Sequence, residues 1–474
     1  MLLKSTKNLF LLFIFVITLI CENDNSVLGY PTSSRHKELI KKDQGRHKGM
    51  KERSRWGKSS PNPTSRRLMD YEEDDVPIGE REGPLKSTIE GSVKLPMYAA
   101  AEYHMGQYFV DIEIGTPPKK LRMIADTGSD LTWVKCKSEE PSNFTNQRVF
   151  DASKSKTFKT IGCRTNYCEE DLKMLRSIDL CPVDQAPCFY NYSYGDEGLV
   201  TYGKFAKDSI TLPTTTGKSV TLQNMLIGCS QSVTGKADIN EADGILGLGM
   251  HPYSFAIHGV SKFGGTFSYC LVDHLSPSNV TNYLVFGDLK EKCPTQEFMR
   301  YTALHVSIDS AFYWIYIKGL SFGSDMLDIS PVVWDTSKDD GGTILDSGTS
   351  ATYWLEPAYT AIMDFLISVL EKDYPKLPDW KGDGVSDFEY CFKADAKEFR
   401  KFKVPRLDIH FKDGARFKPH IKSYIIDDAP GVKCIGFLQA HGGVNIIGNI
   451  LQQNYLWEFD VHHETMGFVA STCE

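Results

Sequence analysis

Asp126-Thr127-Gly128-Ser129 and, 220 positions later, Asp346-Ser347-Gly348-Thr349 repeat one pattern: an aspartate, a small hydroxyl residue, glycine, and a second hydroxyl residue. Each copy follows apolar residues, Met123-Ile124-Ala125 in the first and Ile344-Leu345 in the second. Composition alone yields one such tetrapeptide in roughly 30 chains of this length, and two behind apolar runs about two orders of magnitude less often. The pattern suits one kind of chemistry. A buried strand ends, glycine lets the backbone turn tightly, and the carboxylate is held out at the turn. The hydroxyls of Ser129 and Thr349 are placed to donate to their own aspartates. Two carboxylates facing each other share one proton, because both cannot ionise cheaply. One then acts as base on a water while the other protonates a carbonyl. Read singly, either aspartate could merely cap a turn; the pair argues for catalysis.

Further repetition surrounds these phrases. Asp243-Gly244-Ile245-Leu246-Gly247-Leu248-Gly249 lies downstream of the first, and Val444-Asn445-Ile446-Ile447-Gly448-Asn449 downstream of the second. Both halves therefore read in one order: loop, long interval, then apolar-apolar-glycine. This internal repeat predicts two related lobes. Tyr108 to Ile114 alternates apolar residues and runs into Gly115-Thr116-Pro117-Pro118, a strand ending in a turn. Tyr190, Tyr192 and Tyr194 alternate ahead of Gly195-Asp196-Glu197-Gly198, and Gly203-Lys204-Phe205-Ala206 follows, predicting a β-hairpin. Glu356-Pro357 opens one of few helical stretches, with Tyr359, Ile362, Met363, Leu366 and Leu370 on one face.

A chain of 474 residues is too long for one core, so two domains behind an extension are the prior. With 22 Tyr, 26 Phe, 38 Gly and little helical periodicity, the composition favours a β-rich protein. A formal charge of −8 gives no support for nucleic-acid binding overall. Lys4 and Lys7 precede an apolar run from Leu9 to Ile20, and Val27-Leu28-Gly29 offers a cleavage site, so residues 1–29 read as a signal peptide. A twelve-residue run is too short to span a bilayer comfortably, and no stable membrane anchor is expected. Residues 30–92 lack core-forming content. They are dense in Lys and Arg from Arg35 to Arg67, then acidic from Asp70 to Asp75. Residues 1–92 hold 16 basic and 13 acidic side chains, net +3, which leaves −8 − 3 = −11 for residues 93–474. A prosegment held by charge across an acidic body, a solvated linker and a basic patch for nucleic acid are the three readings of this segment.

Cys136, Cys163, Cys168, Cys181 and Cys188 crowd one stretch. Behind a signal peptide they read as disulfide partners; zinc is the alternative, but no His interleaves and no paired CxxC knuckles occur. No Cys–His context suggests a cysteine nucleophile. Asn143, Asn191 and Asn279 head glycosylation sequons, with Asn191 inside a strand.

From about residue 93 onward these motifs resemble the pepsin-like aspartic proteases, within them the plant nepenthesin-like branch. The resemblance implies an all-β, bilobal, pepsin-like double-barrel fold with a few short helices, divided into a lobe at 93–289, a connection at 290–311 and a lobe at 312–474. It implies a secreted zymogen of an endopeptidase acting on polypeptides as a monomer, without metal or cofactor. Asp126 and Asp346 are then the catalytic pair, with Thr127, Gly128, Ser129, Ser347, Gly348 and Thr349 supporting the two loops. Tyr194 becomes the tyrosine of a flap over the substrate, anchored by Trp133, and the 243–249 and 444–449 segments pass beneath the loops. Glu197 departs from the usual flap sequence. The resemblance also pairs Cys391 with Cys434 and gives counterparts to the five clustered cysteines plus Cys229, Cys270 and Cys473, leaving Cys293 over. Plant proteins resembling xylanase inhibitors share the architecture with damaged catalytic phrases, so a silent binding protein is the rival. The secretory pathway is the expected destination, with the chloroplast as the alternative, since Pro31 to Arg67 is basic and contains Ser.

Overall fold

The computed structural model describes residues 91–474, apart from 104, 138–143, 145–147, 176, 180–182, 184, 195–197, 236–238, 240, 277–279, 281, 288–298, 306–309, 379, 381–387, 400 and 474. The signal and prosegment readings, Cys181, Cys293, the flap tip, the sequons at Asn143 and Asn279 and most of the proposed connection lie outside the described residues.

Strands dominate, with few helices and short ones, as composition predicts. Tyr108–Ile114 forms a hairpin with Lys119–Asp126 through the Gly115-to-Pro118 turn. Its alternation places Tyr108, Val110, Ile112 and Ile114 in one apolar cluster. The aromatic run becomes the strand Phe189–Tyr194, paired with Leu199–Pro213. There Tyr190, Tyr192 and Tyr194 are buried while Asn191 and Ser193 face out, the two-residue period of a half-buried strand. The helix Glu356–Leu370 buries Tyr359, Ile362, Met363, Leu366 and Leu370 with Ala358. No helix among the described residues is long and apolar enough to cross a membrane.

One sheet runs through both halves of the chain. Thr266–Cys270 pairs with Asn282–Phe286 on one side and with Tyr455–Asp460 on the other. The Cys270–Cys473 disulfide ties this junction covalently. Cys136–Cys229, Cys168–Cys188 and Cys391–Cys434 are also bridged, and Cys163 is disulfide-bonded to a partner outside the described residues. Beyond the polar stretch that begins at Gly287, Arg300–His305 forms a strand against Thr465–Ala470. It buries Thr302 and Leu304 and turns Arg300, Tyr301 and Ala303 outward, a pattern that its polar residues conceal in the sequence.

Candidate active site

Each aspartate stands at the end of, or just beyond, a buried strand lying between two partners. Lys119–Asp126 runs parallel to Gly244–Gly247, with Asp126 opposite Gly247. Thr343–Leu345 runs parallel to Asn445–Ile447, with Leu345 opposite Ile447. The predicted segments therefore do pass beside the two loops. Support is matched in detail. Gly247 N–H donates to Thr132 Oγ1 at 3.1 Å, and Gly448 N–H to Thr352 Oγ1 at 3.2 Å. Gly249 N–H reaches the Ser129 carbonyl at 2.8 Å, and Asn449 N–H the Thr349 carbonyl at 2.7 Å. A side chain on either glycine would collide with backbone: a Cβ on Gly247 would lie 2.3 Å from the Asp130 carbonyl oxygen, and one on Gly448 2.1 Å from that of Ala351.

The carboxylates are held in the same way. Asp126 Oδ1 accepts from Gly128 N–H at 2.9 Å and its Oδ2 from Ser129 Oγ at 2.5 Å. Asp346 Oδ1 accepts from Gly348 N–H at 2.8 Å and its Oδ2 from the Thr349 hydroxyl. Each carboxyl plane is thus fixed by a backbone donor and a hydroxyl two and three residues on. Both aspartates are fully buried.

Thr127 and Ser347 join the loops to each other. Thr127 N–H donates to Ser347 Oγ at 3.0 Å, and Ser347 N–H to Thr127 Oγ1 at 2.9 Å. The hydroxyls then donate onward, Ser347 to the Ala125 carbonyl at 3.0 Å and Thr127 to the Leu345 carbonyl at 3.4 Å. Because these residues directly follow Asp126 and Asp346, the interlock joins the two aspartate-bearing loops, 220 positions apart in sequence.

Tyr194 lies beside the first loop. Its hydroxyl accepts from Trp133 Nε1 at 2.9 Å, and its ring tilts against Tyr192 with centroids 5.0 Å apart. Burial, then the neighbouring Tyr192 and Asp126, push its phenol well above the usual tyrosine value, against smaller effects of hydrogen bonding with Ser129 and Trp133. Tyr194 therefore stays neutral and keeps a hydroxyl at the edge of the site.

Several supporting residues escaped the sequence reading. Asn449 Nδ2 donates to the Gly106 carbonyl at 2.7 Å and to the Ser347 carbonyl at 2.9 Å, while its Oδ1 sits 3.0 Å from His274 Nε2. His274 stacks on Tyr108 with centroids 4.9 Å apart, and Gln453 Nε2 donates to the Tyr108 hydroxyl at 3.0 Å. Gln107 Nε2 lies 3.4 Å from the Gly348 carbonyl. A buried polar network thus clamps the second loop to the first hairpin. The position of Asn449 after Ile447-Gly448 was the available signal, though its partners were not. Among the described residues, Cys391, Asp428 and Cys434 group with metal-ligand spacing, but the two sulfurs are bonded to each other.

The family descriptions "Xylanase inhibitor N-terminal" and "Xylanase inhibitor C-terminal" match residues 108–288 and 312–470. Aspartyl protease family protein 2 of Arabidopsis thaliana is 33% identical over 375 residues, spanning 78% of this chain and 71% of that protein. The chain belongs to the plant aspartic protease family. Aspartic proteinase nepenthesin-1 of Nepenthes gracilis is 30% identical over 373 residues, covering 78% of each chain. Among solved structures, conglutin gamma, a basic 7S globulin from lupine seeds, superposes with a TM-score of 0.62 at 19% identity over 80% of this chain and 94% of its own. That likeness is one of fold.

Proposed function

We propose that this chain is an aspartic endopeptidase that cleaves polypeptides with a water held between Asp126 and Asp346. The observation that carries the reading is the completeness of both loops: each carboxylate has its glycine N–H and its hydroxyl donor, and Thr127 and Ser347 interlock reciprocally. Two buried carboxylates so placed share one proton. The ionised member takes a proton from water, and the protonated one donates to the scissile carbonyl, leaving a tetrahedral diol. The proton then passes to the amine as the carbon–nitrogen bond breaks. Tyr194 covers the substrate, and the scheme calls for no metal or cofactor.

Asp126→Asn and Asp346→Asn are each expected to remove turnover while leaving thermal unfolding nearly unchanged. A pepstatin-type mimic of the tetrahedral state should inhibit the unaltered enzyme. Activity should follow a bell in pH, falling as the second proton leaves the pair. Substantial peptidase activity in either asparagine variant would refute the assignment. The match to the xylanase-inhibitor descriptions favours one second reading, a silent binding protein on this fold. Absence of cleavage over a broad acidic range, with intact binding of a protein ligand, would select it.

The same proposal includes a monomeric enzyme of two lobes, 93–289 and 312–474, joined through 290–311, made with a signal peptide and a basic prosegment. A finer resemblance, to the plant aspartic proteinase NANA, carries the chloroplast as the alternative to the secretory pathway. The location of a fluorescent fusion decides between them.

A further inference from the structure

Residues 401–422 carry seven Lys or Arg against two Asp, net +5, within a body (93–474) of net −11. The fold concentrates part of this excess. Ile317–Phe322, Leu407–Phe411 and Arg416–Phe417 are neighbours in one small antiparallel sheet. Its inner face is apolar: Leu320, Leu407, Ile409, Phe411 and Phe417 are all buried. By the two-residue alternation of strands, Asp408, His410, Arg416 and Lys418 fall on the outer face. There Asp408, nearly buried, meets Lys418 at 2.9 Å and Arg416 at 4.0 Å, and the two cations are about half exposed. Exposed Lys318 and Arg406 add to the same neighbourhood. His410 feels the positive field of Arg416, Lys418 and Lys318, and Tyr455, whose hydroxyl donates to the Lys418 carbonyl, feels that of Arg406. Two cations thus meet the Asp408 carboxylate, and two more stand exposed nearby on the strands of the same sheet or beside them.

We propose that this face docks the acidic run of the chain's own leader, Asp70 to Asp75, in the precursor. That run holds five carboxylates in six residues, with Glu80 and Glu82 beyond it. Reach permits the contact. Leu95 pairs with Leu284, Leu284 with Tyr269, and Tyr269 with Trp457, three strand steps of about 4.8 Å each. Phe417, between Arg416 and Lys418, packs its ring 4.9 Å from that of Trp457. Asp75 precedes Gly91 by 16 residues, a span of up to about 50 Å when extended. A single exposed ion pair contributes little, but five carboxylates over a field with three cations in excess form a network. The leader would then be held at two points of opposite sign, its basic stretch toward the acidic body and its acidic run on this sheet.

The test uses the intact precursor and needs no turnover, so its failure is distinguishable from failure of the peptidase reading. Zero-length carbodiimide coupling joins carboxylates to lysines that lie in contact. Peptide mapping is expected to find carboxylates of 70–75 joined to Lys418 or Lys318 of the same chain. The yield should drop at least threefold in 0.5 M salt and in the Arg406→Gln, Arg416→Gln double variant, whose folding is checked by thermal unfolding. Coupling only to the leader's own lysines, coupling only between chains, or a yield unmoved by the double variant would each overturn the proposal.

Discussion

Ser347 Oγ accepts from Thr127 N–H and donates to the Ala125 carbonyl, both at 3.0 Å and out of contact with water. Its removal therefore leaves a buried donor and a buried acceptor, each costing about 1–3 kcal/mol when unpaired. Ser347→Ala should destabilise the protein by about 2 kcal/mol and lower kcat more than it changes KM, because it loosens the relation of the two carboxylates. Ser347→Thr should restore most of both, since Thr127 already fills the equivalent position in the first loop. Denaturant unfolding beside steady-state kinetics reads the outcome; equal behaviour of the Ala and Thr variants would contradict the interlock's role. At this scale the sequence was legible where it repeats itself: the two aspartates, their hydroxyl partners and the interlocking pair all stand in the duplicated phrase. Asn449 and His274 were not legible. They meet their partners across 343 and 175 positions, and no local period or composition encodes such a meeting.

Among the elements, those with a clear period were predictable and those defined by pairing were not. The helix Glu356–Leu370 and the tyrosine strand Phe189–Tyr194 announce their buried faces through spacing. Arg300–His305 does not, since its neighbours across the sheet, rather than its polar residues, make it a strand. The helix Phe255–Phe263 carries a consequence for pH. Burial, with a smaller contribution from Lys262, lowers the His258 pKa from 6.5 to about 4. With the folded value below the unfolded one, the unfolded chain binds the extra proton between these limits. The stabilisation from a neutral His258 is full above about pH 6.5 and lost as pH falls toward 4, about 3 kcal/mol at most. His258→Gln should therefore flatten the decline of Tm between pH 7 and 4; parallel Tm curves for the two proteins would remove His258 as the cause. Gly448→Ala tests another element, since its methyl has no room against the Ala351 carbonyl. It should cost several kcal/mol and reduce activity through the displaced second loop, read by thermal unfolding and by kcat.

For the whole molecule, the covalent frame divides the cysteines sharply. Cys270–Cys473 closes a sequence separation of 203 residues at the junction where Thr266–Cys270 pairs with Tyr455–Asp460. In the chain-entropy view a bridge of that length contributes about 5 kcal/mol, and loss of a native bridge commonly costs 2–5 kcal/mol. Replacing both cysteines by Ser should lower Tm by many degrees and weaken the union of the two halves. We propose that Cys293 is a free thiol, with pairing between chains as the alternative, so Cys293→Ser should leave Tm within about a degree of the parent, a change of under about 0.5 kcal/mol. The contrast is informative because Cys163 is bridged to a residue outside the described ones. If its partner were Cys293, that bridge would tie the clustered cysteines to the 290–311 connection, and both Cys293→Ser and Cys163→Ser would destabilise alike. Peptide mapping of the non-reduced mature protein distinguishes the cases directly. A Cys163–Cys293 peptide overturns the free-thiol assignment, and an alkylated Cys293 peptide recovered without reductant upholds it.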